Sequence, residues 1–315
     1  MGKKINLLSI SGGKDSTAML LNAIEREIKF ECCFADTGHE HPDTYEYLDY
    51  LENLLTIKIR RAKADFTKRI EKKREYVKKH WAKDGIEDSH IQTALDTLKP
   101  TGNPFLDMCI WKGRFPSPKG RFCTEHIKTE PINEQIVLPL LREGKRIRSW
   151  QGIRASESPR RANMPTHELI DYKIWVYRPI IKWSTNDVFA IHKKHNVKPN
   201  PLYLKGMSRV GCMPCIMCRK GELSEISRRF PDVIERIKKW EKIVSEASKR
   251  GSSTFYDVRP FANDKFNVHY TTEGIEAAAQ WAKTERGGKQ YNLFTEFEDL
   301  PSCSSNYGLC DLESE

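Results

Sequence analysis

A glycine-rich hexapeptide near the N-terminus constrains the fold more than any other feature of the chain. Its sequence is Ser11-Gly12-Gly13-Lys14-Asp15-Ser16, and it separates an apolar segment, residues 4–10, from an amphipathic one, residues 16–27. Paired glycines let the backbone turn tightly with its N–H groups exposed, and a helix N-terminus attracts anions. The pattern predicts a phosphate-binding loop between a strand and a helix. An ordinary turn, with Ser16 capping the helix, is the alternative.

The loop is not of the Walker A type, because Asp15 follows the Gly-Lys pair where that pattern has Ser or Thr. Around it, segments with the periodicity of strands and helices alternate along the chain. Strands are predicted over residues 4–10, 30–35, 56–59, 146–153 and 173–180, and helices over 16–27, 41–55, 125–142 and 185–195. This alternation predicts an α/β fold with a doubly wound parallel sheet.

Two regions depart from the alternation. Residues 66–120 are predicted to be a helical insertion, with a basic helix, a short helix over 91–98 and a Gly/Pro-rich stretch, in a domain that spans 1–220. Residues 221–315 are predicted to be a helical C-terminal region with a long helix over 222–247 and a cysteine-containing tail. The basic residues of the insertion are Lys68, Arg69, Lys72, Lys73, Arg74, Lys78 and Lys79, interleaved with Tyr76 and Trp81. They are typical of a solvated helix, with nucleic-acid binding as the alternative.

Composition excludes an integral membrane protein. The 315-residue chain is 30% charged, with a mean hydropathy of −0.63. It contains no apolar run of the roughly 18 to 20 residues that a membrane span needs. The N-terminus does not have the features of a signal peptide, so a cytoplasmic location is expected. The formal net charge of +10 favours an anionic partner such as a nucleotide or a nucleic acid.

The hexapeptide resembles the pyrophosphate loop of the adenine-nucleotide α-hydrolase (PP-loop ATP pyrophosphatase) superfamily. Further segments resemble the phosphoadenylyl-sulfate (PAPS) reductase family within it. They are Asp36-Thr37-Gly38, Cys123 with Lys128 and Pro131, Gly152-Ile153-Arg154 with Glu157-Ser158, residues 178–188, Asn200-Pro201-Leu202-Tyr203 and Gly211-Cys212-Met213-Pro214-Cys215. The resemblance covers about residues 5–63 and 121–218, and leaves out the insertion and the C-terminal region.

The resemblance implies a site for ATP or a related adenine nucleotide. It places the phosphates on Ser11, Gly12, Gly13, Lys14, Asp15 and Ser16, with Gly152 and Arg154 beside them, and the nucleoside near Asp36, Thr37 and Gly38. The residues expected to act in catalysis are Lys14, Asp15, Lys128 and Arg154, with Asp15 as a partner of Mg²⁺. Other roles stay open: Asp36 also suits a helix cap, and Glu157 also suits an ion pair with Arg154 or Arg160.

The nine cysteines are interpreted as thiols, metal ligands or redox groups, because cytoplasmic proteins rarely contain disulfides. Cys212, Cys215 and Cys218 have a spacing close to that of bacterial iron–sulfur proteins, and Cys123 is the predicted fourth ligand. Cluster-bearing family members use a Cys-Cys pair upstream and a Cys-x-x-Cys downstream. Here Phe122 replaces one upstream cysteine and Cys218 adds one downstream, so the resemblance implies the iron–sulfur branch and a [4Fe–4S] cluster. Zinc and free thiols are the alternatives.

Three functions compete. The first is an ATP pyrophosphatase that adenylates an acceptor, such as a nucleic acid, for sulfur transfer from a donor protein. The second is a sulfonucleotide reductase, which makes sulfite from PAPS or adenylyl sulfate. Family reductases use a Glu-Cys-Gly segment that this sequence does not contain, although Cys303 and Cys310 are candidate nucleophiles. The third is a non-catalytic subunit that binds nucleotide or nucleic acid, which the intact phosphate loop disfavours.

Overall fold

A six-stranded sheet lies at the centre of the computed structural model, which describes residues 2–256 and 274–284. The strands are β1 (Lys4–Ser9), β2 (Phe30–Asp36), β3 (Ile59–Lys63), β4 (Arg146–Gln151), β5 (His167–Asp171) and β6 (Ile174–Tyr177). Their order is β3-β2-β1-β4-β6-β5, and all neighbours are parallel except β5 and β6. The predicted α/β fold is confirmed. Strands β2 and β3 lie on one side of β1 and strands β4 to β6 on the other, so the chain changes sides between β3 and β4. Ligands of open parallel sheets bind at the switch point that this creates beside β1.

The helices are, in chain order, Lys14–Glu25, Pro42–Leu55, Thr67–His80, Asp88–Thr97, Pro104–Lys112, a continuous helical stretch over 122–142, Pro159–Ala162, Thr185–Lys194, Lys220–Arg229, Pro231–Glu246 and Ile275–Ala282. The 122–142 stretch contains two π-helical segments, Glu125–Thr129 and Asn133–Val137. Short 3₁₀ turns lie at Ala155–Glu157 and Pro201–Tyr203. In the part of the chain that the structure describes, no helix has both the length and the apolar character needed to cross a bilayer.

Helices cover both faces of the sheet. Successive residues of a strand point to opposite faces, and apolar residues on both faces need cover. Leu8 and Cys32 face the helices that follow β1 and β2, whereas Leu7 and Cys33 face the 122–142 helix. All four side chains are buried. The two-sided cover is the doubly wound arrangement, and it places both β2 cysteines in the sheet core.

A second apolar core joins the insertion to the C-terminal helices. It contains Trp81 and Ile110 from the insertion and Ile237 and Val244 from the C-terminal part, all buried. The helix Pro231–Glu246 contacts both the Asp88–Thr97 and the Pro104–Lys112 helices. Three of the candidate ligand cysteines, Cys123, Cys215 and Cys218, pack against this core. The helical core therefore supports one side of the cysteine site.

The limits of two predicted elements differ most from those observed. The third strand was expected at 56–59, but Thr56 ends the preceding helix in a left-handed conformation (φ 52°) and the Ile57 N–H still donates to Glu52 O at 3.1 Å. The strand consequently starts at Ile59. The helix expected over 222–247 is two helices, because Pro231 has no N–H to continue the first and instead begins the second.

The elements that were not predicted include one helix and one strand of the sheet. The Gly/Pro-rich stretch contains the helix Pro104–Lys112: Asn103 Oδ1 accepts the Leu106 N–H at 3.0 Å, and Gly113 ends the helix with φ 62°. In the sequence, the proline and the glycine suggest a loop, but they mark the start and the end of this helix. Strand β5 was missed because four of its five residues are exposed, so it has no alternation of polar and apolar side chains.

Candidate functional site

The hexapeptide forms a closed turn at the start of the Lys14–Glu25 helix. Gly12 has φ 73°, and a Cβ there would lie 2.8 Å from Thr44 Cγ2, so the position requires glycine. Ser16 Oγ donates to Gly13 O at 2.9 Å and accepts from Ser11 N at 3.1 Å. Gly13 occupies the N-cap position, so the alternative with Ser16 as the cap is wrong. The turn lies where the positive end of the helix dipole favours an anion.

Three charged side chains meet beside this turn. Asp15 Oδ2 lies 2.9 Å from Lys14 Nζ, and Asp15 Oδ1 lies 2.5 Å from Arg154 Nε. The side chains of both cations are 6% exposed, and that of Asp15 is 14% exposed. One carboxylate thus joins two buried cations and leaves one positive charge in excess. Burial strengthens the attraction of that charge for an anion.

Strand β4 ends against the same turn at Gly152. A Cβ on Gly152 would lie 2.8 Å from Asp15 O and from Ser16 Cα, and 2.9 Å from Ser16 N. Those atoms belong to helical backbone and cannot move aside as a flexible side chain can. Glycine is therefore required for β4 to approach the loop this closely.

The segment after Gly152 aims Arg154 at the loop. Arg154 Nη1 donates to Ser156 Oγ at 3.0 Å and to Thr185 Oγ1 at 3.2 Å, which fixes the guanidinium beside Asp15. Glu157 accepts from the backbone N–H of Arg154 at 2.8 Å, and its carboxylate pairs with Arg161. Glu157 was predicted to form an ion pair with Arg154 or Arg160. Both predictions are wrong, because its ion-pair partner is Arg161.

Three residues without a predicted role support the loop from the 185–203 region. Tyr203 Oη accepts the Lys14 N–H at 3.0 Å, and Asn200 Nδ2 donates to Gly12 O at 3.1 Å. His192 Nε2 donates to Lys14 O at 3.0 Å, and burial lowers the pKa of His192. Asn200 and Tyr203 lie in a segment that resembles the family, which is the signal that marks them. His192 has no such signal.

The segment after β2 holds Asp36, Thr37 and Gly38 at the carboxyl end of the sheet. Asp36 Oδ1 accepts from Gly38 N at 3.0 Å and from Tyr45 Oη at 2.8 Å. Gly38 has φ 67°, and a Cβ there would lie 2.8 Å from Pro104 Cδ of the insertion. His41, and not Asp36, caps the following helix. Asp36 therefore braces a turn beside the expected nucleoside position.

A buried glutamate that sequence reasoning missed connects this segment to the cysteines. Glu40 accepts from Thr37 Oγ1 at 2.7 Å and from Tyr45 Oη at 3.0 Å. Its Oε1 also lies 3.8 Å from the Cys212 thiol, which donates to it, and residues 40 and 212 pair as an isolated antiparallel bridge. Glu40 was part of the segment that follows β2 and carried no other signal.

Lys128 lies near three of the four candidate ligand cysteines, Cys123, Cys212 and Cys215. Burial raises the pKa of Cys123, Cys212 and Cys218, and Cys215 contributes to each increase. Cys212 raises the pKa of half-buried Lys128, and Glu40, Cys215 and Cys123 add to that effect. The structure thus brings the thiols close enough to influence one another, and it places Lys128 with them.

No three of the four cysteine sulfurs lie within 4.8 Å of one another in the described residues. Ligands of a tetrahedral zinc ion with Zn–S bonds of about 2.3 Å lie about 3.8 Å apart. In the described residues, the one group of three or more potential ligands within 4.8 Å of one another is Glu125, His126 and Glu130, and it contains no cysteine. The Arg69 guanidinium binds that group, with Nη1 3.2 Å from His126 Nδ1 and Nη2 2.8 Å from Glu130 Oε2. It is therefore an ion-pair network.

The basic helix of the insertion uses several of its charges internally. Arg74 donates to Leu98 O at 2.9 Å, and Lys78 pairs with Glu75 at 3.5 Å. Trp81 is fully buried, whereas Tyr76 is exposed. Cys303 and Cys310, the two cysteines of the tail, lie outside the described residues.

The chain has a nucleotide-binding α/β fold, with the glycine-rich turn at the switch point of its sheet. The phosphoadenosine phosphosulfate reductase domain family matches residues 5–218, more than half of the chain. The chain belongs to this family. The match ends at Cys218, so it contains the loop, Arg154 and all four candidate ligand cysteines.

Relatives of known sequence include a protein of similar length. The uncharacterized 37.8 kDa protein in the gpa 5′ region of Escherichia phage 186 is 48% identical, over 98% of this chain and 97% of that protein. Adenosine 5′-phosphosulfate reductase of Neisseria meningitidis serogroup B is 33% identical over 32% of this chain, and the chain spans 44% of that enzyme. The PAPS reductase of Candida auris in complex with phosphate aligns over 67% of this chain and 82% of its own, with 16% identity and a TM-score of 0.42.

Proposed function

We propose that the chain is an ATP pyrophosphatase of its family that adenylates an acceptor and so prepares it for sulfur transfer. The observation that carries the proposal is the group of Lys14, Asp15 and Arg154 at a helix N-terminus, packed against the bare backbone of Gly152. Such a group offers backbone N–H donors and a net positive charge to the phosphates of a nucleotide.

In the proposed reaction, an oxygen atom of the acceptor attacks the α-phosphorus of ATP. The bond from that phosphorus to the oxygen bridging it to the β-phosphorus breaks, and pyrophosphate leaves with the electron pair. AMP stays on the acceptor until a sulfur nucleophile from a donor protein displaces it. Lys14 and Arg154 stabilise the charge that develops on the phosphates, and Asp15 holds both cations in position.

Mg²⁺ bound with ATP would supply further positive charge to the phosphates. Asp15 is the carboxylate of the loop and is our candidate for its protein ligand. Both oxygens of Asp15 have cationic partners. Each oxygen still has a second lone pair, so Asp15 would hold the ion beside Lys14 and Arg154.

We assign a [4Fe–4S] cluster to Cys123, Cys212, Cys215 and Cys218. The fit rests on the donor set: four thiols on two segments, with the Lys128 ammonium among them to balance thiolate charge. No three of these sulfurs lie within 4.8 Å of one another in the described residues, whereas the ligands of one zinc ion would. The cluster would bind or activate the sulfur that is transferred.

A nucleic acid is the acceptor that the net charge of +10 favours. The second candidate function is sulfonucleotide reduction. It is favoured by sequence similarity to enzymes named adenosine 5′-phosphosulfate reductase in Neisseria meningitidis and Streptomyces coelicolor. In that function, Cys303 or Cys310 would have to supply the nucleophilic thiol.

Separate measurement of pyrophosphate and sulfite tests the proposal. ATP with Mg²⁺ and RNA or DNA should yield pyrophosphate, and Lys14→Ala should lower its rate by about 100-fold or more. Lys194→Ala, which removes an exposed ammonium paired with Glu25 and lying outside the insertion, is the matched control and should leave the rate unchanged. Cys303→Ser with Cys310→Ser should also leave it unchanged. Sulfite made from PAPS or adenylyl sulfate with thioredoxin, and lost in Cys310→Ser, would establish the reductase instead.

Metal analysis tests the cluster independently. Anaerobically purified protein should be brown and contain about four irons per chain. Cys218→Ala should lose iron and stop sulfur transfer while pyrophosphate release continues. Cys32→Ala, which changes a cysteine in the sheet core, should keep its iron. Stoichiometric zinc without labile sulfide would contradict the assignment.

A further inference from the structure

The hairpin of β5 and β6 concentrates the exposed apolar surface of the described residues. Among the described residues, eight large hydrophobic side chains are exposed, and four of these eight lie on this hairpin. They are Leu169 (54% exposed), Ile170 (59%), Tyr172 (76%) and Trp175 (43%). A cluster of exposed apolar side chains of this kind is typical of a protein–protein contact surface.

The same hairpin ends the sheet with an open backbone. Thr166 O accepts the Arg178 N–H at 2.8 Å, so these two residues form a hydrogen-bonded antiparallel pair. The register continues with His167 opposite Tyr177 and Leu169 opposite Trp175. Hydrogen-bonded and non-hydrogen-bonded pairs alternate, so His167 and Leu169 turn their N–H and C=O groups away from β6. These groups face outward at the edge of the sheet.

We propose that two copies of the chain associate through antiparallel pairing of β5 with β5 of the second copy, with Leu169 on the two-fold axis. The two Leu169 residues would exchange N–H···O=C bonds and form one hydrogen-bonded pair. Trp175 lies directly opposite Leu169 on the inner side. The dimer would therefore carry an apolar row of four side chains, Trp175 and Leu169 from each copy, across the joint sheet.

The charges near β5 favour a second copy of the chain as the partner of this edge over a nucleic acid. They also favour β5 over the other edge strand, β3, as the strand that pairs. Residues 166–175 contain Glu168, Asp171 and a single lysine, Lys173, in a chain of net charge +10. Arg178 pairs with Glu168 at 2.6 Å, so the edge offers a nucleic acid no excess of positive charge, and two copies meet here with little like-charge repulsion. The opposite edge strand, β3, carries Arg60, Arg61 and Lys63. Charged residues of that kind protect an edge from pairing, and β5 has no basic residue but His167.

The bulge between Leu169 and Asp171 limits the paired segment. Pairing of two β5 edges then uses both and leaves only the charged β3 edges outside, so the assembly closes as a dimer. Because the two β5 strands would pair antiparallel to each other, the parallel strands of the two copies would run in opposite directions, and the two phosphate loops would lie at opposite strand ends of the joint sheet. Each nucleotide site is complete within one copy.

Sedimentation equilibrium of the full chain tests the dimer. The wild type should sediment as a dimer, and Leu169→Asp, which places two carboxylates at the axis, should sediment as a monomer. Leu54→Asp removes an exposed leucine on the Pro42–Leu55 helix and should remain a dimer. ATP binding should be equal in all three proteins, which separates loss of the dimer from loss of the fold. A monomeric wild type, or a dimer that persists in Leu169→Asp, would overturn the proposal.

Cross-linking tests the register. The Cα atoms of a hydrogen-bonded antiparallel pair lie about 5.5 Å apart, within the range of about 4.4–6.8 Å that a disulfide spans. Mild oxidation of Leu169→Cys should give a reducible dimer on gels. Leu54→Cys and the wild type, treated in the same way, should not. Equal cross-linking of all three would show that the axis does not pass through Leu169.

Discussion

Gly152→Ala tests whether the phosphate loop depends on its contact with the end of β4. The added Cβ would lie 2.8 Å from Asp15 O and Ser16 Cα, whereas ordinary contacts begin at 3.4 Å. The two backbones must therefore separate by about 0.6 Å. Asp15 and Ser16 lie in the first turn of a helix and Gly152 follows a central strand, so neither side yields easily.

Two effects follow from that separation. Overpacking of this kind costs about 1–3 kcal/mol, so the free energy of unfolding should fall by that amount. In the wild-type structure, Arg154 Nε lies 2.5 Å from Asp15 Oδ1, and the shift lengthens this distance. The shift also displaces the backbone N–H groups of the loop that we propose bind phosphate. We expect ATP affinity to fall by about tenfold or more.

Calorimetric titration with ATP and urea unfolding measure the two effects. The matched control is Gly221→Ala, because a Cβ on Gly221 meets no atom within 4 Å and the residue lies in the helix Lys220–Arg229. It should bind ATP as the wild type does and unfold at the same or a slightly higher urea concentration. If Gly152→Ala matched the wild type in both affinity and stability, the steric argument would be refuted.

Three further changes probe the loop and the helical core. Tyr203→Phe should lower the free energy of unfolding by about 1–3 kcal/mol in urea titrations, because the buried Lys14 N–H loses its acceptor; an unchanged value would contradict this. Asp15→Asn should bind inorganic pyrophosphate about tenfold more tightly without divalent ions, because Lys14 and Arg154 lose their anion; calorimetry showing weaker binding would reject it. Burial raises the pKa of Glu241 to about 7, above its value of 4.5 in the unfolded chain. Its contribution to stability is therefore present below pH 4.5 and is lost as the pH rises to about 7, by up to about 3 kcal/mol. Urea unfolding across this range should show a smaller decrease in Glu241→Gln, and parallel curves would disprove it.

The sheet core and the phosphate loop could be predicted because their determinants are local. Apolar strand residues and paired glycines lie within a few positions of one another, and Gly12 needs its positive φ whatever surrounds it. The supports of the loop could not be derived in this way. Tyr203 meets Lys14 only after the chain has returned to the switch point, and no periodicity records that return.

Other misses have different causes. The helix Pro104–Lys112 has readable boundaries, since Asn103, Pro104 and Gly113 are typical cap residues, but their density suggested a loop. β5 has no readable pattern, because its side chains are exposed on both faces. Glu40 acquires its role from Cys212, a contact between distant segments. A carboxylate is ordinarily a surface residue, so its type alone gives no signal.

The helical core shared by the insertion and the C-terminal helices has a consequence for synthesis of the chain on the ribosome. The insertion helices emerge first, and Trp81 and Ile110 then await the helix Pro231–Glu246, which is made only after β4, β5 and β6. In that interval the nascent chain exposes the apolar faces of the insertion while the sheet is already assembling. Such surfaces are what chaperones bind and what aggregation exploits. Newly made chains that stop before residue 231 should therefore depend on chaperones far more than completed ones.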